Sequence, residues 1–236
     1  GELLFWSKHK AFLKSYEIYV FVANEKILDL SLDKLKFFEF CCQNKFPAIK
    51  SSLRIEDIDS ERYVVKERYG YTSKNTAINI NKENAIEFSS KLENPIFQPY
   101  INSKEISIDG WVSQKGYLPG IIMRTRSIII NGESKVTTNL ENMELDKKFK
   151  RFISKFEING PFVLQAFIED DNFKLIECNP RIGGASTLAI NNGLNIFLWS
   201  ILEITDPSFI PKFLKNQKCI TQVRTQSDRY YYDFNF

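Results

Sequence analysis

The chain has 236 residues, enough to bury a core in one large domain or two small ones. A net charge of +3 with no basic cluster argues against nucleic acid, and the longest apolar run, Ile196 to Ile204, is about half a membrane span. The single histidine, His9, reads as a surface residue and rules against a Ser-His-Asp triad or a multi-histidine zinc site.

Four cysteines, Cys41, Cys42, Cys178 and Cys219, show no framework spacing and fit a reducing cytoplasm. In chain order, Glu17 to Ala23 predicts a parallel-type strand. Ser31 is a good N-cap, with Asp33 in the first helical turn where the dipole favours an anion. Leu35, Phe38 and Cys42 recur at helical spacing, which sets Lys34 off the buried stripe; the helix should end near Asn44, before Pro47. Arg62 to Arg68 alternates as a strand with Lys66 half-buried, where a lysine needs an anion partner. Lys82 to Leu92 predicts a helix, Pro95 breaks it, and Ile96 to Ile101 leads into a second lobe. Glu105 to Val112 and Leu118 to Ile130 predict strands. Asn131-Gly132 is a type I′ turn signal joining Ser127–Ile130 to Glu133–Thr137, and Arg124, Arg126, Glu133 and Lys135 cluster around that hairpin.

Leu145 to Phe156 predicts an amphipathic helix with Phe149, Phe152, Ile153 and Phe156 as its core stripe. Phe162–Ile168 and Phe173–Cys178 then predict a hairpin across a polar turn, Glu169 to Asn172. A three-residue loop, Asp170 to Asn172, would pair Glu169 with Phe173 and set Gln165 across from Glu177; a one-residue slip would set it against Ile176. Glu177 and Asn179 share a face by the period of two. Mg²⁺ takes oxygen ligands and needs only one or two carboxylates. Glu177 can supply a bridging carboxylate, and Gln165 and Asn179 can supply carbonyl oxygens. Arg181, after Pro180, can meet phosphate in a bidentate fork. Ser186–Ile190 and Asn195–Ile204 read as helices split near Gly193. The tail's Tyr230-Tyr231-Tyr232 reads as strand packing.

The segment LIECNPRIGGAS resembles the metal-binding end of ATP-grasp ligases, above all the synthetase units of the carbamoyl-phosphate synthetase large chain and related carboxylate–amine ligases. The resemblance implies a first metal ligand at Gln165, a bridging Glu177, a second-metal Asn179 and a phosphate-contacting Arg181. It extends from about Leu30 to Asp206. Leu32 to Phe37 resembles the segment whose lysine, here Lys34, reaches phosphate. Tyr63 to Glu67 resembles the strand whose lysine, here Lys66, contacts the α- and β-phosphates. Gln98-Pro99-Tyr100-Ile101 resembles the hinge that holds adenine mainly through backbone groups, and Glu105 matches the acid that binds ribose. The lid, Gly70 to Asn75, has one glycine; Thr72 and Ser73 can offer hydroxyls to phosphate instead.

The implied fold is α+β: an ATP-grasp fold of two α+β lobes sandwiching the nucleotide, with residues 31–101 as the small lobe and 102–236 as the large lobe. Residues 1–30 read as the remnant of a preceding Rossmann-like domain, truncated or degenerate. The implied function is an ATP-dependent carboxylate–amine (or thiol) ligase that forms an acyl phosphate. Lys66 and Arg181 would act catalytically. The expected cofactors are ATP and Mg²⁺, two ions, with Mn²⁺ as a substitute. Arg124 and Arg126 are candidate substrate contacts. The expected partners are a small-molecule carboxylate and an amine, with no nucleic acid and no membrane; a homodimer is left open. The alternative is a nucleotide-binding regulatory or degenerate module without turnover.

Overall fold

The computed structural model describes residues 2–70, 75–130, 132–206, 208–216 and 218–225. Ser73 and the rest of the lid at 71–74, Asn131, and the Tyr230–Tyr232 run lie outside them.

Three helices open the chain: α1 (Glu2–Lys14), α2 (Glu25–Leu32) and α3 (Lys34–Gln43). His9 is exposed on α1. The strand expected at Glu17–Ala23 does not form. Its last two carbonyls accept from side chains of α1, Ser7 Oγ on Ala23 O at 2.8 Å and Lys10 Nζ on Val22 O at 3.2 Å, while Ile18, Tyr19 and Phe21 are exposed, where water can satisfy the backbone. The helix expected from Ser31 is two helices. Asn24 caps α2, and Ser31 lies within that helix; Asp33 is the N-cap of α3, accepting from the amides of Leu35 and Lys36. Arg68 grips the same carboxylate through two bonds of 2.8 and 2.6 Å. Burial works against the Asp33 charge, but the Arg68 hydrogen bond and the capped amides together hold its pKa below the ordinary carboxylate value.

A small antiparallel sheet, ordered β2-β1-β3, is built from β1 (Tyr63–Glu67), β2 (Thr76–Ile80) and β3 (Pro95–Pro99). α4 (Lys82–Ser89) covers it through Ala85, against Tyr63, Val65 and Phe97. The larger sheet is ordered β10-β7-β5-β4-β8-β9, with β6 paired to β7. Its strands are β4 (Lys104–Val112), β5 (Ile121–Thr125), β6 (Ile128–Ile130), β7 (Glu133–Leu140), β8 (Gly160–Glu169), β9 (Asn172–Asn179) and β10 (Thr221–Val223). The run expected as one strand from Leu118 to Ile130 is thus two. Ile130 pairs with Glu133, and Gly132 takes the positive φ of 77° that this tight turn requires.

α5 (Met143–Phe156) lays Leu145, Phe149, Phe152, Ile153 and Phe156 on one face of the large sheet. There they meet Ile106, Ile108, Leu164, Ala166 and Leu175 from alternate strand positions, and Phe37 from α3. Gly110 sits opposite Phe162, and a Cβ at that glycine would fall 2.1 Å from the phenyl ring, so only glycine fits. Behind Trp111 a second cluster is closed by α6 (Thr187–Asn191) and α7 (Ile196–Thr205), with Leu188, Leu194 and Trp199. No helix among the described residues is long and apolar enough to cross a membrane.

Candidate active site

The other face of the large sheet is polar, and its register sets the site. Arg124 on β5 pairs with Ser107 on β4, Ser107 with Gln165 on β8, and Gln165 with Glu177 on β9. Asp109, Val163 and Asn179 form a row beside it. Strict alternation from Phe173 and Leu175, both buried, would have turned Glu177 into the core. A bulge prevents this. The hairpin loop has two residues, because Glu169 pairs with Asn172 rather than Phe173, and Asp170 takes a left-handed backbone with φ 51°. The register then shifts between Ala166 and Gln165, leaving Ile176 as the extra residue. The shorter loop and the bulge offset each other, and Gln165 faces Glu177.

A cleft of about 640 Å³ lies over this face and beneath the small sheet. It is lined by Lys34, Lys66, Gln98, Tyr100, Ile101, Glu105, Arg124, Arg126, Gln165, Glu177, Asn179 and Arg181, which are all the described residues expected at a site from the sequence. Arg224, which no motif singled out, lines it as well. Ser73 is not among the described residues.

Two lysines form one wall. Lys34 is buried, contrary to the reading that it stands off the buried stripe; its ammonium donates to Gly70 O at 2.9 Å and Arg68 O at 3.5 Å. Burial lowers its pKa, with Glu177 opposing the shift. Lys66 is half-buried, and desolvation of its ammonium pushes its pKa down to about 8; Glu177 opposes this and Lys34 adds to it. At the hinge, the Gln98 amide donates to Ser51 Oγ at 2.7 Å, and the Tyr100 backbone N–H is already given to Arg62 O at 2.8 Å.

On the facing wall, Asn179 Nδ2 donates to Glu177 Oε1 at 2.8 Å. With its amide turned to satisfy both neighbours, Gln165 donates to the same Oε1 at 3.2 Å and accepts from Arg126 Nη1 at 3.2 Å. Reversing the amide sets its oxygen against the carboxylate oxygen at a separation near the edge of an oxygen octahedron around Mg²⁺, roughly 3 Å. No group of three or more His, Cys, Asp or Glu among the described residues could cage a metal by itself. One carboxylate and two amides suit Mg²⁺, which completes its shell with water and phosphate oxygens.

Arg126 is spent: it holds Glu105, Gly132 O at 2.7 Å and Ser134 Oγ at 3.0 Å. Arg124 and Asp109 form an ion pair at 2.6 Å with side chains 4% and 0% exposed. Ser186 Oγ bonds the other oxygen of Asp109 and accepts from the Gly183 amide, so this network anchors the glycine pair after Arg181. Arg181 itself is exposed and donates only to Ile182 O, at 3.1 Å, among the described residues.

The family described as "ATP-grasp in the biosynthetic pathway with Ter operon" matches residues 91–226, a span from just before Gln98 to beyond Arg224 that leaves out Lys34 and Lys66. No curated protein matches the chain. Solved structures share its fold at low identity. The biotin carboxylase domain of Hydrogenobacter thermophilus 2-oxoglutarate carboxylase, in complex with MgADP, ADP and bicarbonate, superposes with a TM-score of 0.76 at 16% identity, over 95% of this chain and 56% of that one. N5-carboxyaminoimidazole synthetase from Staphylococcus aureus, complexed with ADP, gives 0.72 at 16% identity, over 93% and 62%. The L-amino acid ligase from Bacillus licheniformis gives 0.56 at 17% identity, over 75% and 47%. The chain therefore spans less than two-thirds of each of these proteins.

Proposed function

The chain belongs to the ATP-grasp family of the biosynthetic pathway with the Ter operon, and from that premise we propose that it is an ATP-dependent carboxylate–amine (or thiol) ligase acting through an acyl phosphate. The observation that carries this reading is the facing of two lysines, Lys34 and Lys66, against Gln165, Glu177 and Asn179 across one cleft. Simple nucleotide binding needs no such oxygen set. The small sheet with α4 serves as the small lobe, and the large sheet, with α3 packed into its core through Phe37 and Cys41, serves as the large one.

Adenine lies at the hinge. Since the Tyr100 amide is engaged, the Ile101 amide is the donor left for it, with no partner found among the described residues. Glu105 keeps an oxygen for ribose beyond the one held by Arg126. Lys66 and Lys34 neutralise the phosphates, Lys34 by leaving Gly70 O. Gln165, Glu177 and Asn179 would hold Mg²⁺, which when bound would supply charge neutralisation along the triphosphate. A carboxylate oxygen of the acid then attacks the γ-phosphorus. The bond from that phosphorus to the bridging oxygen breaks, and ADP leaves. An amine attacks the acyl carbon, phosphate departs, and the amine gives up a proton. Arg181 stabilises charge on the transferring phosphoryl group. No side chain needs to act as the nucleophile.

The test is ADP release and hydroxylamine trapping of the acyl phosphate across a panel of acids. The reading expects acid-dependent ADP release with a trapped hydroxamate, both abolished in Glu177→Ala while that variant stays folded. Nucleotide binding without turnover on any acid would favour a regulatory module instead.

A further inference from the structure

Arg124 and Arg224 stand on either side of the glycine pair that follows Arg181. A Cβ at Gly183 would lie 3.9 Å from Arg124 Nη2, and one at Gly184 would lie 3.0 Å from Arg224 Nη1. Both arginines line the cleft. Arg124 is 3% exposed and fixed through its Nε by Asp109, yet its buried Nη1 has no hydrogen-bond partner. A buried guanidinium N–H without an acceptor is costly, and such orphans mark an absent partner. Arg224 is held only loosely: its Nη1 is 3.5 Å from Glu133 Oε2, and Glu133 already pairs with Lys135 at 2.9 Å.

The charges separate into two centres. Asp109 balances Arg124, so the Arg124 side offers a donor rather than an uncompensated charge. Glu133 cannot balance Arg224 and Lys135 together, which leaves one positive charge beside the glycines. Arg181 provides another, exposed and without a carboxylate partner among the described residues. One anionic group can be met by Arg181 and the metal-side residues. A second can be met by Arg224 and by the Arg124 guanidinium, whose Nη1 has no partner; the missing Cβ at Gly184 lets the Arg224 guanidinium lie close against the backbone there.

We infer that the acid substrate carries a second oxyanion besides its reacting carboxylate, and that Arg124 and Arg224 bind it against Gly183-Gly184. The substrate class is a dicarboxylate or a phosphorylated carboxylic acid. This rests on the ligase reading and adds the specificity determinant to it.

The test is equilibrium binding at pH 7 with Mg·ADP saturating. The probes are glutarate and succinate, 3-phosphoglycerate, and butyrate as the monoanion. Wild type should bind a dianion at least about tenfold more tightly than butyrate, the equivalent of one good charged contact. Whether glutarate or 3-phosphoglycerate binds better identifies the second group as carboxylate or phosphate. Arg224→Gln, on a partly exposed side chain, should erase most of that preference while Mg·ADP and butyrate affinities stay within about twofold. Gly184→Ala should do the same by crowding the Arg224 guanidinium. Dianions no tighter than butyrate, or Arg224→Gln weakening mono- and dianions alike, would overturn the inference and leave the ligase reading intact. Failure of wild type to bind Mg·ADP would instead strike at the ligase reading itself.

Discussion

Lys66 carries the clearest electrostatic consequence of the fold. Its pKa of about 8 in the free cleft stems from desolvation by burial, opposed by Glu177 and deepened by Lys34. A triphosphate would restore the charged form, so above about pH 8 binding must take up a proton. Nucleotide affinity should therefore fall as pH rises, by about tenfold between pH 7 and 9. Lys34, also shifted down, adds in the same direction. Titrating the Kd for Mg·ADP from pH 6.5 to 9.5 checks this; a flat profile contradicts it, and Lys66→Met should bind more weakly with a shallower profile. The free protein should show the opposite trend in stability. The unfolded lysine, at 10.5, holds its proton more tightly than the folded one, so stability rises from about pH 8 toward 10.5. The Arg124–Asp109 pair yields a second prediction. Both side chains are buried, and Asp109→Ala leaves a guanidinium without its counter-charge, at a cost of about 3–5 kcal/mol in chemical unfolding. Asp109→Leu with Arg124→Met should recover much of that; a small loss in the single variant would show the pair to be well solvated.

At the scale of elements, the amphipathic pieces were legible and the irregular ones were not. The stripe of α5 and the alternation of β4 and β8 follow directly from residue periodicity. α1 was missed because none of its residues is buried, so it leaves no stripe to read. β2 was missed because it is short and a bulge at Asn79, with φ 59°, breaks its alternation and leaves Ile78 exposed. The break between α2 and α3 turns on Asp33 preferring the N-cap and Arg68, a partner 35 residues away that local sequence does not reveal. The β8–β9 hairpin is the instructive case. Its register at Gln165 was read correctly from a loop length that was wrong, because the Ile176 bulge restores the residue that the shorter loop removes. Deleting Ile176 should therefore keep Glu177 opposite Gln165 in an unbulged ladder. The expected protein folds and binds Mg·ADP, more weakly because Ile176 also lines the cleft. A deletion variant that folds but shows no binding would mean that the bulge's local twist, beyond the register, aims Glu177.

Across the whole molecule, residues from Lys34 to Arg224 converge on one cleft. Gln165, Glu177, Asn179 and Arg181 were legible because they sit within or just after a short hairpin and match a family motif. Arg224 was not. It reaches the cleft because β10 pairs with β7, and its amide bonds Lys135 O at 2.8 Å, a long-range event with no local signature. Lys34 and Lys66 on one wall face Glu177 with Arg181 and Arg224 beyond it, which suits the cleft to a polyanion escorted by a metal. The most direct measurement is thermal unfolding with and without Mg·ATP, on wild type beside Glu177→Ala and Lys66→Ala. At a hundred times its dissociation constant the ligand should stabilise wild type by about 2.7 kcal/mol, roughly 5–10 °C for a chain of this size, in a metal-dependent way lost in both variants. A folded wild type with no shift, or an equal shift in all three proteins, would contradict the nucleotide–metal site on which the account depends.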